Sequence, residues 1–246
     1  MKTYLFLLLF VFQAFSLISL KGYNQEKIDP SLFEGRWKAR WISYPGEAPN
    51  VYGVYHFRKS FDMEVVPSRF IVHVSADNRY KLYVNGKLVS LVQDHGDIYN
   101  WSFETVDLAP YLKKGNNVIA LLVWHFGKNG FSHVNSGTAA LLFSARASGV
   151  TIVSDKNWQC SVYQAYQNTE APFPNYRLSE SNIRFDARKE LAGWNQPSFG
   201  GKLGPAIEIG FPNEMPFGKL VPRPIPMWKD SGLREYPEVV KNETGD

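Results

Sequence analysis

The chain has 246 residues, 44% of them hydrophobic and 15% aromatic, enough apolar side chain to bury a core as one large domain or two small ones. A formal net charge of only +4, with no cluster of Lys and Arg, argues against nucleic acid or an anionic membrane as partner. The single cysteine, Cys160, excludes an internal disulfide, and its apolar neighbours make it a buried thiol rather than a nucleophile.

The chain opens like an export signal. Lys2 precedes an apolar run over residues 4–12, and Ala14, Ser16 and Ser19 offer small residues to a peptidase. The apolar stretch is interrupted by Gln13 and stops at Lys21, short of the roughly 20 residues that a spanning helix needs. Residues 1–20 are therefore expected to be a cleaved signal peptide. The mature protein would be periplasmic or secreted, with no membrane attachment.

Strand patterns follow. Residues 69–75 (RFIVHVS) alternate apolar and polar side chains, as a half-buried strand does. Residues 81–84 and 87–90 flank Asn85-Gly86, a pair that tolerates φ > 0 at both positions and predicts a tight hairpin. The only turn of helix is expected over residues 108–112, closed by Gly115. Residues 117–126 are apolar almost throughout, which predicts a strand covered on both faces. Residues 138–146 read as another strand, and Gly149 turns the chain into the strand 150–153 as a second hairpin. Short strands, frequent turn residues and no internal repeat predict an all-β fold, a jelly-roll, galactose-binding-like β-sandwich over residues 34–210.

Beyond Gly200, Gly and Pro become frequent, and residues 222–226 (PRPIP) must run extended because each Pro fixes φ and lacks a donor. Residues 211–246 are thus expected to be a Pro-rich connector towards a further domain.

Two sets of motifs resemble a known family. The segments FRKSF at 57–61 and ADNRYKLYVNGK at 76–87 look like the front sandwich of several bacterial glycosidases. The segment SDKNW, ending at Trp158, resembles the Asp-x-x-Trp element of the α-L-rhamnosidase N-terminal domain. FDAR at 185–188, with Gly193-Trp194 and PSF at 197–199, resembles that domain's Tyr-Asp-Ala-Arg signature and aromatic tail, and LVPRPIPMW at 220–228 resembles the lead into its next β-domain. The resemblance covers roughly 37–228. Phe185 stands where Tyr is usual, so one hydroxyl is missing. The family's catalytic carboxylates sit on an (α/α) barrel, and this sequence has no series of long amphipathic helices to build one. The resemblance therefore implies a non-catalytic accessory region of a glycoside hydrolase acting on rhamnose-containing glycosides, supporting a downstream catalytic domain, with no catalytic residue of its own.

Searching the residues for chemistry leads to the same place. Glycoside hydrolysis needs two carboxylates across one bond. Asp94 and Asp97 come nearest to that, yet they read as a solvated loop. Asp186 and Arg188 are expected to form a buried ion pair pinning the late segment to the sandwich. The segment at 130–134 (GFSHV) begins like a nucleophile elbow but lacks the closing Gly. The five His residues have no metal-ligand spacing, and His73 reads as a satisfied sheet residue. No metal or other cofactor is expected, although a structural Ca²⁺ fits sandwiches of this shape.

Sugar binding is the alternative function. Asp97, Tyr99, Asn100 and Trp101 place two aromatic rings beside polar side chains in a loop, as a saccharide site requires. Trp101 is either exposed for stacking or part of the core. Trp124 and Trp158 read as core. On this reading the chain is a stand-alone carbohydrate-binding module for plant or microbial polysaccharide. An apolar patch near 222–228 would favour the accessory role, and bare aromatics on a concave sheet face would favour the module.

Overall fold

The computed structural model describes residues 28, 30–34, 37–91, 96–127, 133–147, 149–169, 183–228 and 230–232. The signal-peptide expectation for residues 1–20, and Asp94, lie outside the described residues. Apart from a four-residue helical turn at Pro30–Phe33 and short 3-10 turns, among them Ala109–Tyr111 inside the expected helical stretch, the regular structure of the described residues is β.

The strands are β1 (Trp41–Ser43), β2 (Gly53–Met63), β3 (Ile71–Asp77), β4 (Arg79–Val84), β5 (Lys87–Leu91), β6 (Asn100–Asp107), β7 (Gly115–His125) and β8 (Ala140–Ala147). They continue with β9 (Val150–Val153), β10 (Gln159–Val162), β11 (Tyr166–Asn168), β12 (Ile183–Phe185), β13 (Gly204–Pro205), β14 (Ile207–Gly210) and β15 (Lys219–Pro222). Two sheets face each other. One has the order β14-β1-β8-β3-β6-β15, with β9 also paired to β8, and the other has the order β13-β10-β2-β7-β4-β5. The strands β11 and β12 form a separate two-stranded ribbon. This is an all-β sandwich, as the strand pattern predicts.

Side chains alternate across each strand, so one face of each sheet supplies the space between them. Val72, Val74 and Ala76 of β3, Leu141 and Phe143 of β8, Phe57 of β2, Leu82 and Val84 of β4, and Leu121 and Val123 of β7 meet there. Trp158 fills the same core. It is fully buried, packs 5.3 Å from Phe143 between ring centroids, and donates its indole N–H to the Val153 carbonyl at 2.8 Å.

Both sheets are also covered on their outer faces, which the alternation in residues 69–75 does not anticipate. The strand β3 is buried along nearly its whole length rather than on one face. The outer face of its sheet carries a second core, in which Trp37, Trp41, Trp101, Phe103, Leu142, Phe217 and Leu220 pack together. His73 lies on that side against Trp37 and Phe103, with Nδ1 2.9 Å from the Thr105 hydroxyl. The outer face of the second sheet carries a third core of Val54, Val118, Ala120 and Leu122 beneath Tyr163, Ala165 and Trp194. The expected two-faced burial of β7 follows from this coat.

The two predicted hairpins form as read. Asn85 (φ 51°) and Gly86 (φ 84°) link β4 to β5, and Gly149 (φ 82°) links β8 to β9. A two-residue turn with positive φ at both positions matches the right-handed twist of the strands it joins. The stretch 211–246 differs from the expected connector in its first part. Lys219–Pro222 is a strand of the first sheet, paired in parallel with residues 100–103 of β6. Pro222 is tolerated because β15 is an edge strand.

Candidate functional site

The residues proposed from sequence as a sugar site are neighbours in the fold, but they do not form a platform. Asp97 opens a tight turn and its carboxylate is consumed by that turn. One carboxylate oxygen accepts from the Tyr99 and Asn100 backbone N–H groups at 2.7 and 2.8 Å, and the Asn100 side-chain amide donates to both oxygens. These bonds hold the Asp97 carboxyl below the usual carboxylate range. Tyr99 is 68% exposed. Trp101, by contrast, is 4% exposed, with its ring edge-on to Phe217 and its N–H donated to the Ala76 carbonyl at 3.3 Å. Of the two readings of Trp101, the core one holds: as the second residue of β6 it points into the outer core, so it offers no face to a sugar.

The motif residues near 190 hold the coat of the second sheet in place. Asp186 and Arg188 do pair, at 2.8 Å, but the pair is local and lies at the surface, with the Arg188 side chain 88% exposed. The expectation of a buried clamp is therefore corrected. Asp186 caps a 3-10 turn at 187–189 through the Arg188 N–H, and a pair two residues apart cannot bridge to the sandwich. The pinning is done instead by Arg58 of β2. This buried guanidinium donates to the Trp194 and Gln196 carbonyls, each at 3.2 Å. Trp194 sits over His56, 4.3 Å between ring centroids, and Tyr163 flanks the same imidazole. Phe185 packs its ring 4.9 Å from that of Tyr166.

Among the described residues that coat stops short of one corner of the sheet. In the pairing of β2, β7 and β4, Val54, Trp124 and Arg79 lie in one row, and His56, Leu122 and Lys81 lie in the next. The next row, Arg58, Ala120 and Tyr83, lies by Trp194. Where the coat ends, Val54, Arg79, Lys81, Leu122 and Trp124 floor and rim an open groove of about 260 Å³ with Tyr166 as its wall. Trp124, expected in the core, is only half-buried, and its edge meets Tyr52 and Phe126. Lys81 is exposed and forms no ion pair among the described residues. The sequence carries the signal for this site in Arg79, Lys81 and Tyr83, which must share the outer face of β4 because they alternate.

A second feature lies between the sheets. Glu104 of β6 points inward and is fully buried. One carboxylate oxygen accepts from the Tyr80 hydroxyl and the other from the Arg223 guanidinium. Burial and the neighbouring carboxylate hold the Tyr80 hydroxyl protonated, far above its ordinary pKa. Arg223 also donates to the Ile225 and Pro226 carbonyls at 3.0 and 2.9 Å. The Pro-rich stretch is thereby clipped into the sandwich just after β15. Beyond the clip Ile225 and Trp228 are 51% and 64% exposed.

Among the described residues no group of three or more His, Cys, Asp or Glu side chains could hold a metal ion. Cys160 is buried between β2 and β13, which pushes its thiol up to about 11 and keeps it un-nucleophilic. No described helix is long and apolar enough to cross a membrane.

No protein-family model and no curated protein matches this sequence. Solved structures do match. A GH78 family rhamnosidase of Bacillus sp. GL1 superposes with a TM-score of 0.68 at 29% identity, over 78% of this chain and 20% of that one. The α-L-rhamnosidase of Dictyoglumus thermophilum gives a TM-score of 0.60 at 22% identity, over 77% and 22% of the two chains. That of Aspergillus terreus gives 0.58 at 21%, over 78% and 23%. At these identities the last two speak for the fold alone. The chain thus spans about a fifth of the length of the rhamnosidases it matches.

Proposed function

We propose that this chain is an exported, non-catalytic accessory region of an α-L-rhamnosidase-like glycoside hydrolase, packing against a catalytic barrel that acts on rhamnose-containing glycosides. The observation that carries this reading is the likeness to the Bacillus enzyme, which takes in most of this chain but only a fifth of that one. Two features support it. The carboxylate of Asp97 is already bonded within its own turn, and the exposed Ile225 and Trp228 follow directly on the Arg223 clip, as a docking surface for a neighbouring domain would.

The test is turnover. The purified chain is expected to hydrolyse neither nitrophenyl rhamnoside nor nitrophenyl galactoside above a buffer blank. Added to a rhamnosidase catalytic barrel that lacks its own front sandwich, it is expected to raise that barrel's melting temperature. Turnover by the chain alone that disappears on Asp97→Asn or Asp94→Asn would overturn the proposal.

A carbohydrate-binding module is the second reading. One observation favours it, the corner of sheet that the described residues leave uncovered, where the half-buried Trp124 lies beside Arg79 and Lys81.

A further inference from the structure

We infer that the groove over Trp124 is a binding site for a single neutral pyranose ring, held by stacking on the indole and by hydrogen bonds from Lys81. The inference rests on the module reading above and names its site and its class of ligand. It is independent of any catalytic partner.

The floor sets the shape of the ligand. Val54 and Trp124 share one row of the sheet face and Leu122 lies in the next, so the bottom of the groove is apolar. Trp124 is half-buried, and among the described residues no ring stacks on it in parallel. Tyr52, Phe126 and Tyr166 meet it at 87°, 72° and 49°. The C–H face of a pyranose is apolar and packs on such a surface, while its hydroxyls stay at the rim. The groove holds about 260 Å³, below the range of roughly 300–1,000 Å³ usual for drug-sized ligands, so it suits one sugar ring rather than a chain of them.

The rim sets the charge. Arg79 is committed to the protein, with a bond to the Asn78 carbonyl at 3.4 Å and the ring of Phe126 at 5.9 Å among its contacts. On the coat side the Glu190 carboxylate acts on Tyr163 and Tyr166, so charges of both signs flank the groove. Lys81 is exposed and forms no ion pair among the described residues. A single solvated ammonium adds little to the affinity for a carboxylate, so the binding energy has to come from the floor. Its N–H groups serve as donors to the hydroxyls of a ring lying on Trp124 and Leu122. A neutral polyhydroxylated ring uses both features. An aromatic ring would cover the indole but make no use of Lys81, and a small anion would leave the indole bare.

The experiment is a titration of the full chain with D-glucose, D-galactose and L-rhamnose, set against D-glucuronate, D-galacturonate and benzyl alcohol, read by tryptophan fluorescence and by NMR shifts. The expected result is saturable binding of at least one neutral sugar with Kd about 1 mM, as tight as its uronate counterpart or tighter. The shifts should centre on Val54, Lys81, Leu122 and Trp124, a readout that needs no variant. The affinity should fall tenfold or more in a folded Trp124→Ala variant. A uronate bound tenfold tighter than its neutral counterpart would overturn the neutral class and leave the module reading standing. Shifts centred elsewhere, or unchanged affinity in folded Trp124→Ala, would overturn the groove and also leave that reading standing. Binding of no sugar, or of benzyl alcohol tenfold tighter than every sugar, would overturn both. None of these results bears on the accessory role, whose readout is turnover.

Discussion

Tryptophan has several uses in this chain, and burial separates them. Trp158, Trp41 and Trp101 are enclosed on all sides, Trp124 is half open, and Trp228 stands in solvent. The sequence distinguishes the first of these well, because Trp158 follows a strand and a tight Asp155 turn that drives it inward. Replacing Trp158 by Ala removes a fully buried ring and its N–H bond to Val153, and is expected to destabilise the fold by roughly 3 to 5 kcal/mol in urea unfolding. A loss below about 1 kcal/mol would show that the Trp158 side chain is not a buried anchor of the core. Trp101 is not separable in the same way. Its neighbours Asp97 and Asn100 are polar, the first exposed and the second half-buried, and residues as distant as Phe217 and Leu220 help to cover it. No pattern within residues 97–101 carries that information.

At the scale of the element, what is legible is local. The Asn85-Gly86 hairpin is encoded by the positive φ that its dipeptide tolerates, and it forms where the dipeptide stands. The strand β15 is not legible, because four residues that lead into a Pro-rich stretch carry no strand pattern of their own and are fixed by pairing with β6 and by Arg223. The clip makes a prediction at this scale. Glu104→Gln keeps the shape but leaves a buried guanidinium without its counter-charge, which should cost roughly 3 to 5 kcal/mol. The double replacement Glu104→Gln with Arg223→Met removes the orphaned charge and should recover part of that loss. If the double variant is less stable than Glu104→Gln by the full cost of a second independent deletion, the two charges do not act as a pair. The groove was equally hidden. The sequence shows Arg79 and Lys81 on one face, but where the coat of Tyr163, Ala165, Leu191, Trp194 and Phe199 ends is a property of the folded surface.

The whole molecule carries an acid sensitivity through the layer beneath Trp194. His56 is buried between Tyr163 and Trp194, and desolvation pushes its pKa from the usual 6.5 down to about 3. Between those values the unfolded chain binds a proton that the folded chain excludes. Stability therefore falls as the pH drops below 6.5, by roughly 2 to 3 kcal/mol between pH 7 and pH 4.5 from this residue. Urea unfolding across that range should show the loss, and a folded His56→Gln variant should show a shallower slope by about that amount. Parallel profiles for the two proteins would mean that His56 takes up its proton within the folded state.

The parallel pairing of β15 with β6 has a consequence in time. A chain made from its N-terminus presents residues 100–103 long before residues 219–222 exist to cover them. Until then β6 is an open rim of unpaired N–H and C=O groups, the kind of rim on which a second nascent chain can add itself. The carboxylate of Glu104 waits beside it for a guanidinium 119 positions further on. The strand that seals this sheet is thus synthesised after the other described strands of the sandwich.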